Sequence, residues 1–199
     1  MRVTPNTVKQ LHDQTGAGYM DAKRALEQTN GDFERAVIVL REKGISIAKK
    51  KSVRMTGEGT IGFYSHFNDR VGVMVELNCE TDFAASTDIF KNLAHDLAVH
   101  IAAMNPLYIS RADIPEEIID DEKDIYEAQI KNEENTGDTV NSTVEGMLQK
   151  YYRDYCLLDQ PYFKDPDKSV SDLLVECITA LKENITVKRF TRYEVGGEV

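Results

Sequence analysis

The chain has 199 residues, 41% of them apolar, and a formal net charge of −10. This supplies apolar matter for one or two small cores and excludes a disordered chain. The acidic balance argues against nucleic acid as the main partner, and no apolar run approaches the ~20 residues that a membrane helix needs.

The first elements are short helices separated by glycine. Thr4 or Asn6 can cap a first helix with Val8 and Leu11 as its apolar positions, and Thr15-Gly-Ala-Gly18 breaks it. A second helix runs from about Tyr19 to Gln28, with Met20, Ala22, Ala25 and Leu26 inward. Asp32 caps a third, where Phe33, Ala36, Val37 and Leu40 recur at helical spacing and Gly44 marks the close. Residues 1–45 therefore read as a three-helix bundle. Residues 46–57 form a basic helical linker around Lys49-Lys50-Lys51, which reads as solvated rather than as an RNA contact. The basic character is concentrated here, for residues 1–54 carry 11 Lys/Arg against 6 Asp/Glu.

An α+β core occupies the remainder, residues 58–199. Strands near Thr60–Phe67 and Val71–Asn78 flank Asn68-Asp69-Arg70, a turn sequence, and predict an antiparallel hairpin. Thr87 caps a long apolar helix whose Ile89, Phe90, Leu93, Leu97, Ile101 and Met104 share a face, and Pro106 ends it. Residues 110–140 hold 11 Asp/Glu against 3 Lys/Arg, and Glu116–Asn132 is helical within them. Thr136-Gly-Asp breaks that helix, and Val140–Leu158 forms another that bears Tyr151, Tyr152 and Tyr155. Pro161 and Pro166 delimit an irregular loop, Ser171–Leu181 is helical, and Ile185–Val195 alternates as a strand that should join the hairpin. The fold class is α+β, a small antiparallel sheet packed with helices.

Chemistry-bearing motifs are sparse. Cys79, Cys156 and Cys177 lie far apart, and the four histidines have no metal-ligand spacing, so buried reduced thiols are expected and no metal or cofactor is. The Met1-to-Thr7 segment has no signal-peptide apolar stretch, which predicts a cytoplasmic location. Glu80 and Asp82 are paired carboxylates that could suggest acid–base work, and a small enzyme using Glu80, Asp82 or His66 is a further reading. A loop acid and a helix cap explain the two carboxylates more simply. The segment from Val71 to Phe83 is the most informative: a strand pattern with Val71, Val73, Val75 and Leu77 on one side runs into Thr81-Asp82-Phe83. Either Thr81 or Asp82 caps a helix and Phe83 folds into the core, or the ring stands on a rigid corner where a partner's pocket can take it.

Val71–Phe83 resembles the signature of the elongation factor Ts family. Val8–Leu26, and Leu157–Asp165 with Glu183–Phe190, resemble the same family at the corresponding places. The resemblance implies a ubiquitin-associated-like N-terminal bundle and a guanine-nucleotide exchange factor, not an enzyme, that binds elongation factor Tu with GDP or nucleotide-free. Thr81, Asp82, Phe83 and Ala84 would enter the partner beside its Mg²⁺ site, Phe83 as an apolar wedge. His12, Tyr19 and Met20 would be the bundle tip that docks on its nucleotide domain. A single strand–strand–helix unit looks like the short form of the family, which implies a homodimer joined by an open sheet edge or by the tyrosine-bearing helix face. The sequence departs from the family's common pattern at Ala84, Ser86, His12 and Tyr19, which bears on contact strength and partner pairing. The alternative reading is an adaptor that uses the bundle to bind another protein or RNA.

Overall fold

The computed structural model describes residues 3–132 and 138–197. The expected break at Thr136-Gly137 lies outside them. Two compact units emerge, Met1–Val99 with Asp172–Val199, and His100–Ser171.

The first unit opens with α1 (Pro5–Thr15), α2 (Tyr19–Gln28) and α3 (Phe33–Lys51). Thr4 caps α1 by accepting from the Thr7 N–H, and Gly16 ends it at φ +65°, a conformation glycine adopts without strain. Asp32 caps α3 through the Arg35 N–H. Val8, Leu11, Ala17, Ala22, Ala25, Leu26, Ala36 and Leu40 form the bundle core. Met20 is 61% exposed and lies outside it, against the expectation that it points inward.

Gly44 does not end α3. The helix continues to Lys51, and Gly44 is buried: a Cβ there would stand 3.0 Å from Val175 Cγ1 and 3.2 Å from Thr179 Oγ1. The glycine is there to let a second helix approach, so it is a packing device rather than a stop signal. That neighbour is α8 (Val170–Leu181). Arg41 on α3 holds Asp172 on α8 with both arms of its guanidinium, at 3.1 and 2.6 Å. Lys51 donates to the carbonyl of Lys182, so one lysine of the basic run finishes the end of α8.

A three-stranded antiparallel sheet follows, in the order β1 (Glu58–Ser65), β2 (Val71–Cys79), β5 (Ile185–Glu194). The closing strand pairs with the hairpin as the alternation predicts. Glu58 pairs with Cys79 at one end of the hairpin, and Ser65 with Gly72 at the other, next to the turn where Asp69 takes φ +54°. Val73, Val75, Leu77 and Cys79 alternate inward and are buried. The short α4 (Asp82–Ser86) packs on β1 and β2. Thr87 then starts α5 (Asp88–Met104) by accepting from the Phe90 N–H at 3.3 Å. Phe90, Leu93, Leu97 and Ile101 are buried as the pattern predicts, but Ile89 and Met104 are 48% and 42% exposed, because they sit at the margins of the apolar stripe.

The second unit contains α6 (Glu116–Asn132) and α7 (Asp138–Tyr155). One cluster joins Ile130, Val144 and Leu148, and another Ile114, Tyr151 and Cys156. The tyrosines of α7 are mostly committed to packing: Tyr151 is buried and its ring lies 4.6 Å from that of Tyr155, while Tyr152 carries the Arg111 guanidinium 4.5 Å above its ring. The stretch between Pro161 and Pro166 is not irregular. It forms the hairpin of β3 (Pro161–Tyr162) and β4 (Asp165–Ser169), with both prolines on a two-stranded ribbon whose outer edges need no donor. Beside it lies the buried pair His100–Gln160, Nε2 to Oε1 at 2.9 Å. Among the described residues, no helix is long and apolar enough to cross a membrane.

Candidate functional site

Phe83 is 84% exposed. The reading in which its ring folds into the core is therefore replaced by one in which only the capping half survives. Thr81, in extended conformation, caps α4 by accepting from the Ala84 N–H at 3.3 Å. Ala84, three residues on, is buried and seats the short helix. Asp82 lies in the exposed first turn, and its neighbour Phe83 projects to solvent. So Thr81, Asp82 and Phe83 form an exposed corner whose foot is Ala84.

The corner is held from the other end of the chain. Glu183 Oε2 accepts the Glu80 N–H at 3.2 Å and the Thr81 N–H at 3.0 Å, and its Oε1 accepts the Thr81 hydroxyl at 2.5 Å. In return Glu80 accepts the Asn184 N–H at 2.7 Å and faces the Arg54 guanidinium at 3.3 Å. The Asn184 N–H first, and the arginine after it, hold the Glu80 carboxyl below its ordinary range. Asn184 also donates its side-chain amide to the Arg54 carbonyl at 2.8 Å. Beneath the corner the buried Cys79 thiol, raised first by burial and then by Glu183, donates to the Thr81 carbonyl at 3.1 Å.

Glu80 is thus a structural acceptor and is not free for proton transfer. His66 follows β1 at the turn end of the hairpin, whereas Glu80 follows β2 at the opposite end. Eight paired residues separate them, about 25 Å at strand rise. His66 therefore does not meet the two carboxylates. Among the described residues, no cluster of three or more His, Cys, Asp or Glu could hold a metal ion.

The bundle tip is a second exposed patch. Tyr19 is 52% and Met20 61% exposed. The His12 ring stacks on Tyr19 at 4.0 Å between centroids, with 23° between planes, and its Nδ1 donates to the Ala17 carbonyl at 2.7 Å. A histidine one turn before the Gly16-Ala-Gly18 break therefore fixes both the loop and the tyrosine.

Sequence reasoning missed Glu183, Asn184 and Arg54 as parts of this site. Glu183 and Asn184 open the Glu183–Phe190 segment that carries the family resemblance, but nothing local ties any of the three to this corner, because each lies at least 26 residues from the group it holds.

The chain thus presents two exposed patches, the Thr81-Asp82-Phe83 corner and the Tyr19-Met20 tip. The family pattern for elongation factor Ts matches residues 3–197. Elongation factor Ts of Pseudothermotoga lettingae is 48% identical over 198 residues, covering 100% of both chains. That of Thermotoga maritima is 51% identical over 98% of each chain, and that of Carboxydothermus hydrogenoformans is 49% identical over 98% of this chain and 89% of its own. The chain belongs to the elongation factor Ts family, whose members are translation elongation factors.

Proposed function

We propose that this protein is the guanine-nucleotide exchange factor of an elongation factor Tu, and that Phe83 is its wedge. The observation that carries the reading is a large aromatic ring, 84% exposed, on a corner pinned by hydrogen bonds to Glu183 and Asn184 about a hundred residues away. An isolated exposed phenylalanine on a mobile loop would mean little. A ring carried on a fixed backbone can enter a partner's pocket at a smaller ordering cost at binding.

Phe83 enters between packed elements of the partner's nucleotide domain beside its Mg²⁺ site, and Asp82 accepts hydrogen bonds there or disturbs the network on the metal side. Nothing is covalently transformed. The factor binds the nucleotide-poor state more tightly than the GDP state, and linkage then requires GDP to bind the complex more weakly by the same factor. His12, Tyr19 and Met20 supply a second, docking contact on the same nucleotide domain. In this division of labour residues 1–45 dock, 46–57 connect, and 58–199 carry the wedge and the dimer contact, in the cytoplasm.

The homodimer forms through the outer face of the sheet. Ile61, Phe63, Met74 and Tyr193 share that face, 42%, 61%, 44% and 70% exposed, and the register sets Phe63 directly opposite Met74. Four large apolar groups on three adjacent strands are more than scattered surface residues. A second copy of the same face is self-complementary under a two-fold axis.

The deciding experiment follows release of fluorescent GDP from the elongation factor Tu of the same organism. Wild type should accelerate release strongly, and Phe83→Ala should abolish most of that acceleration. A folded wild type without effect refutes the reading in favour of an adaptor that works through the bundle.

A further inference from the structure

Glu183 stands immediately before β5, and its carboxylate is spent entirely on the wedge corner. It takes two consecutive main-chain N–H groups, of Glu80 and Thr81, and the hydroxyl of the residue that caps α4. This is the arrangement by which an anion fixes a turn: the donors converge on one charge, and charge-assisted bonds are the strong ones. The chain reaches it through Lys182, whose φ of +56° turns α8 sharply into the strand. The next residue returns the contact, for the Asn184 N–H donates to Glu80. Residues 80–81 and 183–184 thus grip each other reciprocally at the point where β2 and β5 begin to pair, Cys79 opposite Ile185.

Thr81 is the hinge of this grip. Its hydroxyl accepts from the Ala84 N–H, which starts α4, and donates to Glu183 Oε1. Without Glu183 the α4 cap keeps one partner, and the corner is left with the burial of Ala84 and the Cys79 bond but loses its tie to the start of β5. Phe83 is 84% exposed and adds little of its own to hold the corner. The backbone under the ring therefore depends in part on a carboxylate a hundred residues away in sequence.

We propose that Glu183 is a positioning residue for nucleotide exchange: it holds the Thr81-Asp82-Phe83 corner in the pose that enters the partner. The proposal rests on the exchange reading above for its functional half. Its structural half concerns this chain alone, and the two are measured separately. The sequence contains no tryptophan, so Phe83→Trp places a single fluorescent reporter at the wedge. In that background Glu183→Ala should raise the fast, nanosecond component of the anisotropy decay, while Glu183→Gln should not. The glutamine can present its Oε1 to both N–H groups and donate its amide to the Thr81 hydroxyl.

With Phe83 intact, Glu183→Ala should lower the maximal rate of GDP release at saturating factor by on the order of tenfold, with the half-saturating concentration changed less than about threefold, because the same apolar surface is still offered. Glu183→Gln should recover most of the rate. Unchanged anisotropy in Glu183→Ala overturns the proposal, whatever happens to the rate. So does increased mobility with an unchanged rate. A global loss of structure in Glu183→Ala is recognised by its unfolding transition, and Thr81→Val then serves as second variant: it keeps the side-chain shape, removes the hydroxyl that donates to Glu183, and should raise the fast anisotropy component and lower the rate in the same way, unchanged anisotropy again overturning the proposal. A wild type that fails to accelerate release refutes exchange itself, and the anisotropy still decides whether Glu183 fixes the ring.

Discussion

Gly62 on β1 lies against the backbone of Ala94 on α5, so close that a Cβ at Gly62 would stand 2.3 Å from the Ala94 carbonyl oxygen. The obstacle is main chain, not a side chain that can swing away. The absence of a side chain at residue 62 is what lets the sheet and the long apolar helix meet. Gly62→Ala must push strand and helix apart, and such overpacking costs about 1–3 kcal/mol, occasionally more. Urea unfolding should show a lowered midpoint of roughly that size with the slope unchanged. Gly72, with nothing within 4 Å of a Cβ, is the control: Gly72→Ala should be nearly neutral or slightly stabilising.

The buried pair His100–Gln160 predicts a pH dependence. Gln160 donates its amide to the Asp154 carbonyl at 2.8 Å, which turns its Oε1 toward His100 and makes the histidine Nε2 the protonated nitrogen. His100 Nδ1 is buried with no partner among the described residues, so a second proton there would find no acceptor. Burial lowers the His100 pKa below the ordinary value, and the bond to Gln160 opposes this only in part. A group with a depressed folded-state pKa contributes stability that is complete above its unfolded value of about 6.5 and is lost as pH falls toward the folded value. Thermal unfolding from pH 8 to pH 5 should show that loss in wild type. His100→Gln can still donate to Gln160 but does not titrate, so its curve should be flatter between pH 6.5 and 5. Parallel curves would show that other groups set the acid sensitivity.

The places where sequence and structure diverge share a physical reason. Periodicity reports which residues face a core, and it located α6 to the residue and the pairing of β5 with the hairpin. Glycine and proline are ambiguous signals, because one residue type serves several purposes. Gly44 reads as a stop and is a close-approach site; Pro161 and Pro166 read as a loop and edge a ribbon. The corner at Thr81 was legible as a cap from its residue types. The exposure of Phe83 was not, since an aromatic after a strand suits a core equally well, and only the family resemblance favoured it. Glu183 was illegible because its partners are set by the register of β5 on β2, a long-range property that no local pattern encodes.

The outer sheet face makes the proposed dimer testable without touching the core. Phe63 is 61% exposed in the single chain and sits opposite Met74 at the middle of the sheet. Phe63→Glu places charges on both sides of a two-fold axis and should convert the dimer to monomer in sedimentation velocity. Surface substitutions change the stability of a single chain by less than about 0.5 kcal/mol, so folding of the monomer should survive. Any larger fall in melting temperature should depend on protein concentration, as dimer linkage requires. Wild type that sediments as a monomer at tens of micromolar would remove the dimer from the proposed function.

The three thiols report on the integrity of the core. Cys79, Cys156 and Cys177 are all free and buried. Burial pushes the Cys156 thiol up to about 11 and that of Cys177 up to about 12, so neither forms thiolate near neutral pH. Cys79 is also raised, first by burial and then by the neighbouring Glu183 charge. Ellman's reagent at pH 8 should therefore react with all three only after denaturation, and in the native protein at a rate set by local opening. Because Cys79 lies directly under the corner and bonds to the Thr81 carbonyl, Glu183→Ala has two effects there. Removing the charge lowers the thiol pKa, and loosening the corner admits reagent; both act in the same direction, toward faster labelling. Cys156 and Cys177 should keep their wild-type rates in that variant. Selective acceleration at Cys79 would locate the loosening at the corner, whereas uniform acceleration of all three would place it in the fold as a whole.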